Sequence, residues 1–331
     1  MDSRRVSPSI SVIIPLYNGR PHLQQSLAAL YQSEYKSWEC IIIDDGSTDS
    51  GPALAQQFSA ALLTTPTPQS GPALARNIGA EAAKGGLLLF IDADVLVYPD
   101  TLGRIAANFS TGNPPAACFG SYDDQPAEQN FLSQYKNLQH HYIHQTADPD
   151  AITFWAGCGA IRRDIFLKLG GFSTAYGRPS IEDIELGMRL KAAGYTIRLD
   201  QALQVKHLKK WTLPTLLRSD IFDRAVPWSR LIIQNGRLPN DLNLRPAHRL
   251  SAALVCLLVT CKFAGILFPP LWLLIPFIVI GLLILNRPFY LFLTLKLSPT
   301  FTLLAILYHW FYLLYSATTF TIVFIYAKIR P

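Results

Sequence analysis

The chain has 331 residues, half of them hydrophobic and 16% charged, which excludes a disordered protein and leaves room for one large or two ordinary domains. Its formal charge of +6 is unevenly spread: residues 1–200 carry 15 basic and 20 acidic side chains, residues 201–250 carry 9 and 3, and residues 251–331 carry 5 basic and none acidic. Nucleic acid is therefore not the expected partner. The positive charge marks an apolar tail and the segment leading into it, the pattern found at cytoplasmic flanks of membrane spans.

The N-terminal stretch MDSRRVSPSI has two arginines but no apolar core before the first strand pattern, so no signal peptide is expected and the first domain should stay in the cytoplasm. From residue 10 to about 121, β-rich apolar runs follow one another: SVII (11–14), ECIII (39–43), ALLTT (61–65), LLLFI (87–91) and AACFG (116–120). Helical patterns near 21–33, 51–59, 72–84 and 99–109 separate them, which predicts a mostly parallel sheet covered on both faces. A second portion, 122–206, adds helical segments around 128–145 and 181–193 and a strand-like run at 152–161. Five cysteines (Cys40, Cys118, Cys158, Cys256 and Cys261) form no C-x-x-C pair and read as buried thiols of a reducing compartment.

The segment LPTLLRSDIFDRAVPWSRLIIQNG then places Leu216, Leu217, Ile221, Phe222 and Ala225 at helical spacing, with Arg218 and Arg224 on the other face and Pro227-Trp228 as an interruption. An amphipathic basic segment of this kind is expected to lie in a membrane interface, the alternative being an ordinary packing helix. Beyond residue 250, residues 263–285 and 297–327 carry no charge and are long enough to span a hydrocarbon core that takes roughly 20 residues. Pro269-Pro270 could instead split the first into a hairpin of 251–267 and 271–285, with Lys262 within the membrane or snorkelling out. Two or three spans both remain open, with the Pro-Pro pair favouring three. Two would put Lys328 and Arg330 inside, and three Arg287 and Lys296.

Carboxylates gather where strand patterns end, the place where open parallel sheets bind ligands. Asp44-Asp45-Gly46-Ser47-Thr48-Asp49 follows ECIII, and Asp92-Ala93-Asp94 follows LLLFI. Residues two apart at a strand end point the same way, and hard oxygen donors so placed suit Mg²⁺ or Mn²⁺ with substrate phosphates. Taken by itself a D-x-D is equally turn chemistry. The ordered array is more specific: Pro15-Leu16-Tyr17-Asn18, then Asp44–Asp49, then Gly71-Pro72-Ala73-Leu74-Ala75-Arg76-Asn77, then the D-x-D. It continues through Trp155-Ala156-Gly157, Gly170-Gly171-Phe172 and Glu182-Asp183.

This array resembles the nucleotide-sugar-binding region of family 2 glycosyltransferases, membrane-anchored bacterial members included, over about residues 9–210. The resemblance implies the GT-A fold, a Rossmann-like α/β architecture with a mostly parallel central sheet, here followed by C-terminal transmembrane helices. It divides the chain into a cytoplasmic catalytic domain (1–212), a basic amphipathic juxtamembrane segment (213–250) and a membrane domain (251–331). Pro15, Tyr17 and Asp45 would line the base pocket, Arg76 would sit near the diphosphate, and Asp92 and Asp94 would hold metal and ribose, Asp94 more directly. His207 matches the histidine that completes the metal site in many GT-A enzymes, so Asp94, Asp92 and His207 form the implied metal set. Lys209, Lys210 and Trp211 match a basic-aromatic motif near the leaving diphosphate, or anchor at a membrane interface. Trp155, Gly157 and Glu182 fall at the acceptor side, and Asn77 is expected on the helix surface or the pocket rim.

Asp183 is the expected general base, taking the proton of an attacking sugar hydroxyl. Ser180-Ile181-Glu182-Asp183 also reads as an S-x-x-D capping box, and Glu185 is spaced to pair with Arg189. His140, His141 and His144 imitate a metal cluster but lie in a polar stretch, which gives them a surface or packing role, and Cys158 has no activating neighbour. The expected activity is a metal-dependent inverting glycosyltransferase moving a sugar from a nucleotide diphosphate donor to a lipid, lipid-linked or membrane-proximal acceptor, in envelope polysaccharide or glycolipid synthesis. The rivals are a processive synthase of the same fold, which usually has more spans and a Q-x-x-R-W motif, and a silent scaffold, which predicts missing carboxylates. A transporter is disfavoured because the tail has no acidic residue.

Overall fold

The apolar runs become the strands of one eight-stranded sheet in the computed structural model, which describes residues 9–236 and 242–329. The chain divides into two units, Met1–Lys210 and Trp211–Pro331. In the first, β1 (Ile10–Leu16), α1 (Arg20–Leu30), β2 (Trp38–Asp44), α2 (Gly51–Ala55), β3 (Ala61–Thr64), α3 (Pro72–Ala82) and β4 (Leu87–Ile91) alternate as the pattern predicts. Then come β5 (Val95–Leu96), α4 (Thr101–Phe109), β6 (Ala117–Tyr122), α5 (Phe131–Gln145), β7 (Cys158–Arg162), α6 (Arg163–Lys168), α7 (Glu182–Ala192) and β8 (Ile197–His207).

The sheet order is β3-β2-β1-β4-β7-β6-β8-β5. The half β3-β2-β1-β4 is parallel, and its central residues Val12, Ile13, Ile42, Leu88 and Leu89 are buried on both faces, as helices on either side require. The other half is mixed: β7 runs antiparallel between β4 and β6, β6 and β8 are parallel, and β5 is antiparallel to β8. The strand expected over 152–161 begins only at Cys158, because the preceding backbone is diverted: the Ala156 N–H donates to the Asp183 carboxylate at 3.1 Å. The parallel pairing around β1 and the antiparallel β5/β8 pair bring the ends of β1, β2, β4 and β8 to the carboxylate-rich loops.

The second unit comprises α8 (Leu213–Arg218), a π-helical stretch (Ser219–Ala225), α9 (Val226–Asn235), α10 (Pro246–Ala264), a 3₁₀ segment (Pro269–Leu274), α11 (Ile275–Leu285), α12 (Arg287–Lys296) and α13 (Pro299–Ile329). Of the amphipathic face expected over 213–225, Leu216 is buried, Leu217, Ile221 and Ala225 are half-buried, and Arg218 and Arg224 are exposed. Within the π-helical stretch Asp220 is buried on the Tyr315 hydroxyl at 2.7 Å, while Phe222 is 66% exposed. Pro227 does not interrupt: helical backbone runs on from the π-helical stretch through Ala225 and Val226 into α9.

Among the described residues two helices, α10 and α13, are long and apolar enough to cross a membrane. The uncharged run 263–285 is not one helix: α10 ends at Ala264, and Pro269-Pro270 opens the next segment. The hairpin alternative is the arrangement observed, with its first arm starting at Pro246 rather than 251. Residues 1–8, Arg330 and part of the juxtamembrane segment (237–241), on which sequence expectations also rested, lie outside the described residues.

Candidate active site

The first acidic cluster is built from backbone hydrogen bonds. Asp45 is 5% exposed; its Oδ1 accepts from Thr65 Oγ1 at 2.7 Å and Ser70 N at 2.8 Å, and its Oδ2 accepts from Gly71 N at 2.8 Å. It thereby ties the end of β2 to the loop that opens α3. Asp44 Oδ1 accepts from Ser47 N, and Asp49 accepts from Arg20 N and Gly51 N. Asn18, at φ 50°, spans the two strand ends: its Oδ1 accepts from Thr48 N and Thr48 Oγ1, and its N–H donates to Ser47 Oγ. Asn and Asp tolerate the left-handed region better than other side chains, which suits Asn18 to this corner. Tyr17 beside it is 45% exposed, and Pro15 half-buried, so the strand end presents an open aromatic face.

The second cluster is built from charged side chains. Val95 pairs with His207 across β5/β8 and Leu208 N donates to Asp94 O, so the D-x-D and the end of β8 share one ladder. His207 Nε2 lies 3.5 Å from Asp94 Oδ2. Burial opposes the Asp94 charge, but the hydrogen bond and charge of His207, with Lys209 and His22 nearby, bring its carboxyl down to about 2. Asp92 is held by Arg76, its Oδ1 accepting from Nη2 at 2.7 Å. Burial and the Asp94 charge raise its pKa, in spite of Arg76. Among the described residues no three His, Cys, Asp or Glu side chains converge as a ready metal site. The adjacent carboxylate and imidazole of Asp94 and His207 nevertheless fit a divalent cation that takes its remaining ligands from phosphate oxygens.

Arg76 is neither solvated nor directed outward. It is 5% exposed and bridges Asp92 to Glu182, with Nη1 donating to Glu182 Oε1 at 2.8 Å and the guanidinium 5.6 Å from the Phe172 ring centroid. Its charge also reaches Asp183. One buried cation thus joins the D-x-D to the start of α7. Asp183 accepts from Ala156 N at Oδ2 and from Ile184 N at Oδ1. Burial, then the Glu182 charge, push Asp183 up to about 6 against those donors and Arg76. The capping box does not form: Ile181 is the N-cap, without a side-chain bond, and Ser180 N donates instead to Glu182 Oε2. Glu182 is committed to Arg76, so Asp183 is the carboxylate of this pair that can exchange a proton. Glu185 pairs with Arg189 at 2.6 Å as the spacing predicts, and Arg189 also donates to Leu169 O and Gly171 O.

Several side chains matter more than their place in the sequence suggests. Asn77 is half-buried and tied inward: Nδ2 donates to Phe172 O and Oδ1 accepts from Phe172 N, both at 2.9 Å. Gly171 has φ 71°, and a Cβ there would lie 2.5 Å from Asn77 Oδ1, so glycine is required by both conformation and space. Tyr122 stacks on His207 with ring centroids 4.3 Å apart and 8° between planes, and meets Trp155 edge-on at 4.9 Å. His140 packs against Tyr122 and Trp155. His141 and His144 are buried with Nδ1 on the Tyr122 and Gly120 carbonyls, so the three histidines serve packing, not the surface. Apolar surroundings were invisible in a polar stretch because α5 turns these residues inward at helical spacing.

A Cβ at Gly157 would sit 2.5 Å from the Trp155 ring, so the Trp155-Ala156-Gly157 turn holds its indole against its own backbone. Burial pushes the Cys158 thiol up to about 12, in keeping with packing. Lys209 and Lys210 are exposed at the end of the first unit, Lys210 with Glu128 at 4.0 Å. Trp211 opens the second unit and is buried within the protein.

An eight-stranded α/β sheet with carboxylates and a histidine at the strand ends has the GT-A fold of nucleotide-sugar transferases. The fold is similar to that of a mannosyltransferase of Pyrobaculum calidifontis, solved with GDP-Man and Mn²⁺, with TM-score 0.60 over 96% of this chain and 88% of that one, at 18% identity. Residues 11–170 match the profile of glycosyl transferase family 2, which the first unit resembles. Two glycosyltransferases of Haemophilus influenzae are 38% identical over 120 residues (35% of this chain, 47% of the relative) and 29% identical over 195 residues (55% and 61%). Glycosyltransferase AglE of Haloferax volcanii is 34% identical over 109 residues, 31% of this chain and 36% of that protein. The chain thus spans about half the length of these curated relatives.

Proposed function

We propose that the protein is a metal-dependent, inverting glycosyltransferase, moving a sugar from a nucleotide diphosphate donor to a lipid or lipid-linked acceptor at the cytoplasmic face of a membrane. The observation that carries this reading is the Arg76 bridge, which joins the D-x-D beside His207 to the helix bearing Asp183. The structurally similar mannosyltransferase, holding GDP-Man and Mn²⁺, supports a nucleotide sugar and a divalent cation as the matching ligands here.

Asp94 and His207 would hold Mg²⁺ or Mn²⁺, which when bound would neutralise charge on the departing diphosphate. Tyr17 offers its exposed face to a nucleobase, and Pro15 shapes the strand end beneath it. Asp45 keeps the neighbouring loop in place through its three hydrogen bonds and has one acceptor position left, on Oδ2, for a base N–H. Arg76 holds Asp92 and Glu182 in fixed orientation, and Asp183, with its pKa about 6, takes the proton from the acceptor hydroxyl near neutrality. A base on the acceptor side and a leaving group on the other favour a single displacement with inversion. Lys209 and Lys210 are placed in sequence to meet the leaving diphosphate.

Residues 1–212 would form the catalytic domain, 213–250 the juxtamembrane segment and 251–331 the membrane domain, with α10 and α13 crossing the bilayer. The test is incubation of detergent-purified protein with a panel of nucleotide sugars and Mn²⁺, following nucleotide release with and without membrane lipid extract. Release that requires lipid supports the lipid acceptor. Absence of release from every donor, with lipid present, overturns the transferase reading.

A further inference from the structure

The apolar segments of the second unit have a defined direction relative to one another. Trp272 Nε1 donates to the Lys262 carbonyl at 3.2 Å, which fixes the start of the 3₁₀ segment beside the last turn of α10. At the opposite end Asn286 Nδ2 donates to Ser251 Oγ at 3.0 Å, in the first turns of α10. Residues 269–286 therefore retrace α10 from end to end. Along α13, His309 and Trp310 meet Tyr290, one turn beyond Asn286 and so at the end where α10 begins, and Leu313 packs in one cluster with Val255, Cys261, Ile278 and Leu282. Later residues of α13 meet later residues of α10, so α13 runs in the same direction as α10.

The lengths agree with one another. Nineteen residues of α10 extend about 28 Å, and six 3₁₀ residues plus eleven of α11 extend about the same. From His309 to Ile329, α13 extends about 30 Å, the thickness of a hydrocarbon core.

Polar contacts collect at the end where α10 begins. Trp310 Nε1 donates to Tyr290 Oη at 3.2 Å, and the Tyr290 hydroxyl is hydrogen-bonded to His309 Nδ1 at 3.0 Å. Thr294 donates to Thr302 at the same end, and α12 leaves the line of the preceding segment at 63°, carrying Arg287 and Lys296 at its two ends. The flanks of this end hold Arg245, Arg249, Arg287 and Lys296, against Lys262 and Lys328 at the other among the described residues. Between the two ends Leu273, Phe277 and Ile284 are 72%, 74% and 65% exposed, an apolar belt that water would penalise.

We infer that this belt is a lipid-contact surface and that the second unit crosses the bilayer three times: α10, then the broken segment 269–285 returning, then α13. In this arrangement α12 folds back toward the interface on the side where α10 begins, its basic ends meeting anionic headgroups. That side is cytoplasmic by its excess of basic residues. The inference rests on the membrane reading proposed above and adds to it the number and direction of crossings.

Single cysteines replacing Phe268, Thr300 and Ile329 in the full chain test it, with labelling by a membrane-impermeant maleimide in right-side-out and inverted vesicles and the parent chain as background. Three crossings predict that Thr300→Cys reacts from one face, and Phe268→Cys and Ile329→Cys from the other. Phe268→Cys and Thr300→Cys reacting from the same face would overturn it, since 269–296 would then re-enter without crossing. Leu267→Cys and Leu297→Cys repeat the first two positions, should either variant fail to accumulate. Release of the parent chain from vesicles by alkaline carbonate without detergent would overturn the membrane reading itself, and the crossings with it.

Discussion

Asp44, Asp45 and Asp49 follow β2, and Asp92 and Asp94 follow β4, on either side of β1. As sequence the two groups look alike. In the first, carboxylate oxygens accept chiefly from backbone N–H groups and from Thr65, and the product is a rigid loop. In the second, the partners are Arg76, His207 and, through Arg76, Glu182, and the product is a set of displaced pKa values. A carboxylate cluster is thus read by the groups that satisfy it. Neutral donors make a turn, and charged partners buried together tune protonation and leave charge for a ligand.

Breaking the second cluster should therefore cost chemistry, and removing Asp49 from the first, a carboxylate bound only to backbone N–H groups, should cost only local order. Asp94→Ala is expected to lower metal-dependent donor hydrolysis and transfer by roughly 10³-fold or more, as several kcal/mol of charge stabilisation is lost; activity at the parent level would remove Asp94 from the metal site. Asp183→Asn should lower kcat by about 10²–10⁴-fold. The parent's rate should fall as pH drops below about 6, where Asp183 takes up its proton, and the residual rate of the variant should lack that limb. Because the folded pKa is raised, the native state holds this proton to higher pH than the unfolded chain and loses stability as pH rises through about 6. The Asn variant should accordingly melt no lower than the parent at neutral pH.

Arg76→Met leaves Glu182 buried without its cation, and should cost about 3–5 kcal/mol of stability, read as a denaturation midpoint in detergent. Pairing it with Glu182→Gln should recover part of that loss; no recovery would mean that the Asp92 contact dominates. Asn77→Ala removes both bonds to the Phe172 backbone and should cost about 1–3 kcal/mol. Asp49→Asn, in the first cluster, keeps one acceptor oxygen and should cost about 0.5–1.5 kcal/mol with near-parent kcat. A large loss of kcat in Asp49→Asn would erase the distinction between the two clusters.

The first half of the fold was legible because its strands are buried on both faces and so appear as unbroken apolar runs, SVII, ECIII and LLLFI among them. The reversal of β7 was not legible, since an antiparallel strand within a covered sheet carries the same composition as a parallel one. Asp94, His207 and Asp183 were found from their order along the chain. Tyr122 and Asn77 were not, because a ring stacked on His207 and an amide closing on Phe172 become neighbours only through the β6/β8 pairing and the packing of α3 on the 170–172 turn.

Order and composition along the chain suffice for the alternation of apolar strand and amphipathic helix, for the carboxylates at strand ends, and for the partition of charge between an acidic first unit and a basic, apolar second one. These are local or one-dimensional properties, set by period and residue type. Folding in three dimensions settles which carboxylates share a proton-bearing environment, that Arg76 is a buried bridge rather than a surface cation, and that within the π-helical stretch Asp220 is buried and Phe222 exposed. Those depend on distance and burial between residues remote in the chain, and electrostatic energy follows distance and dielectric, which sequence order does not specify.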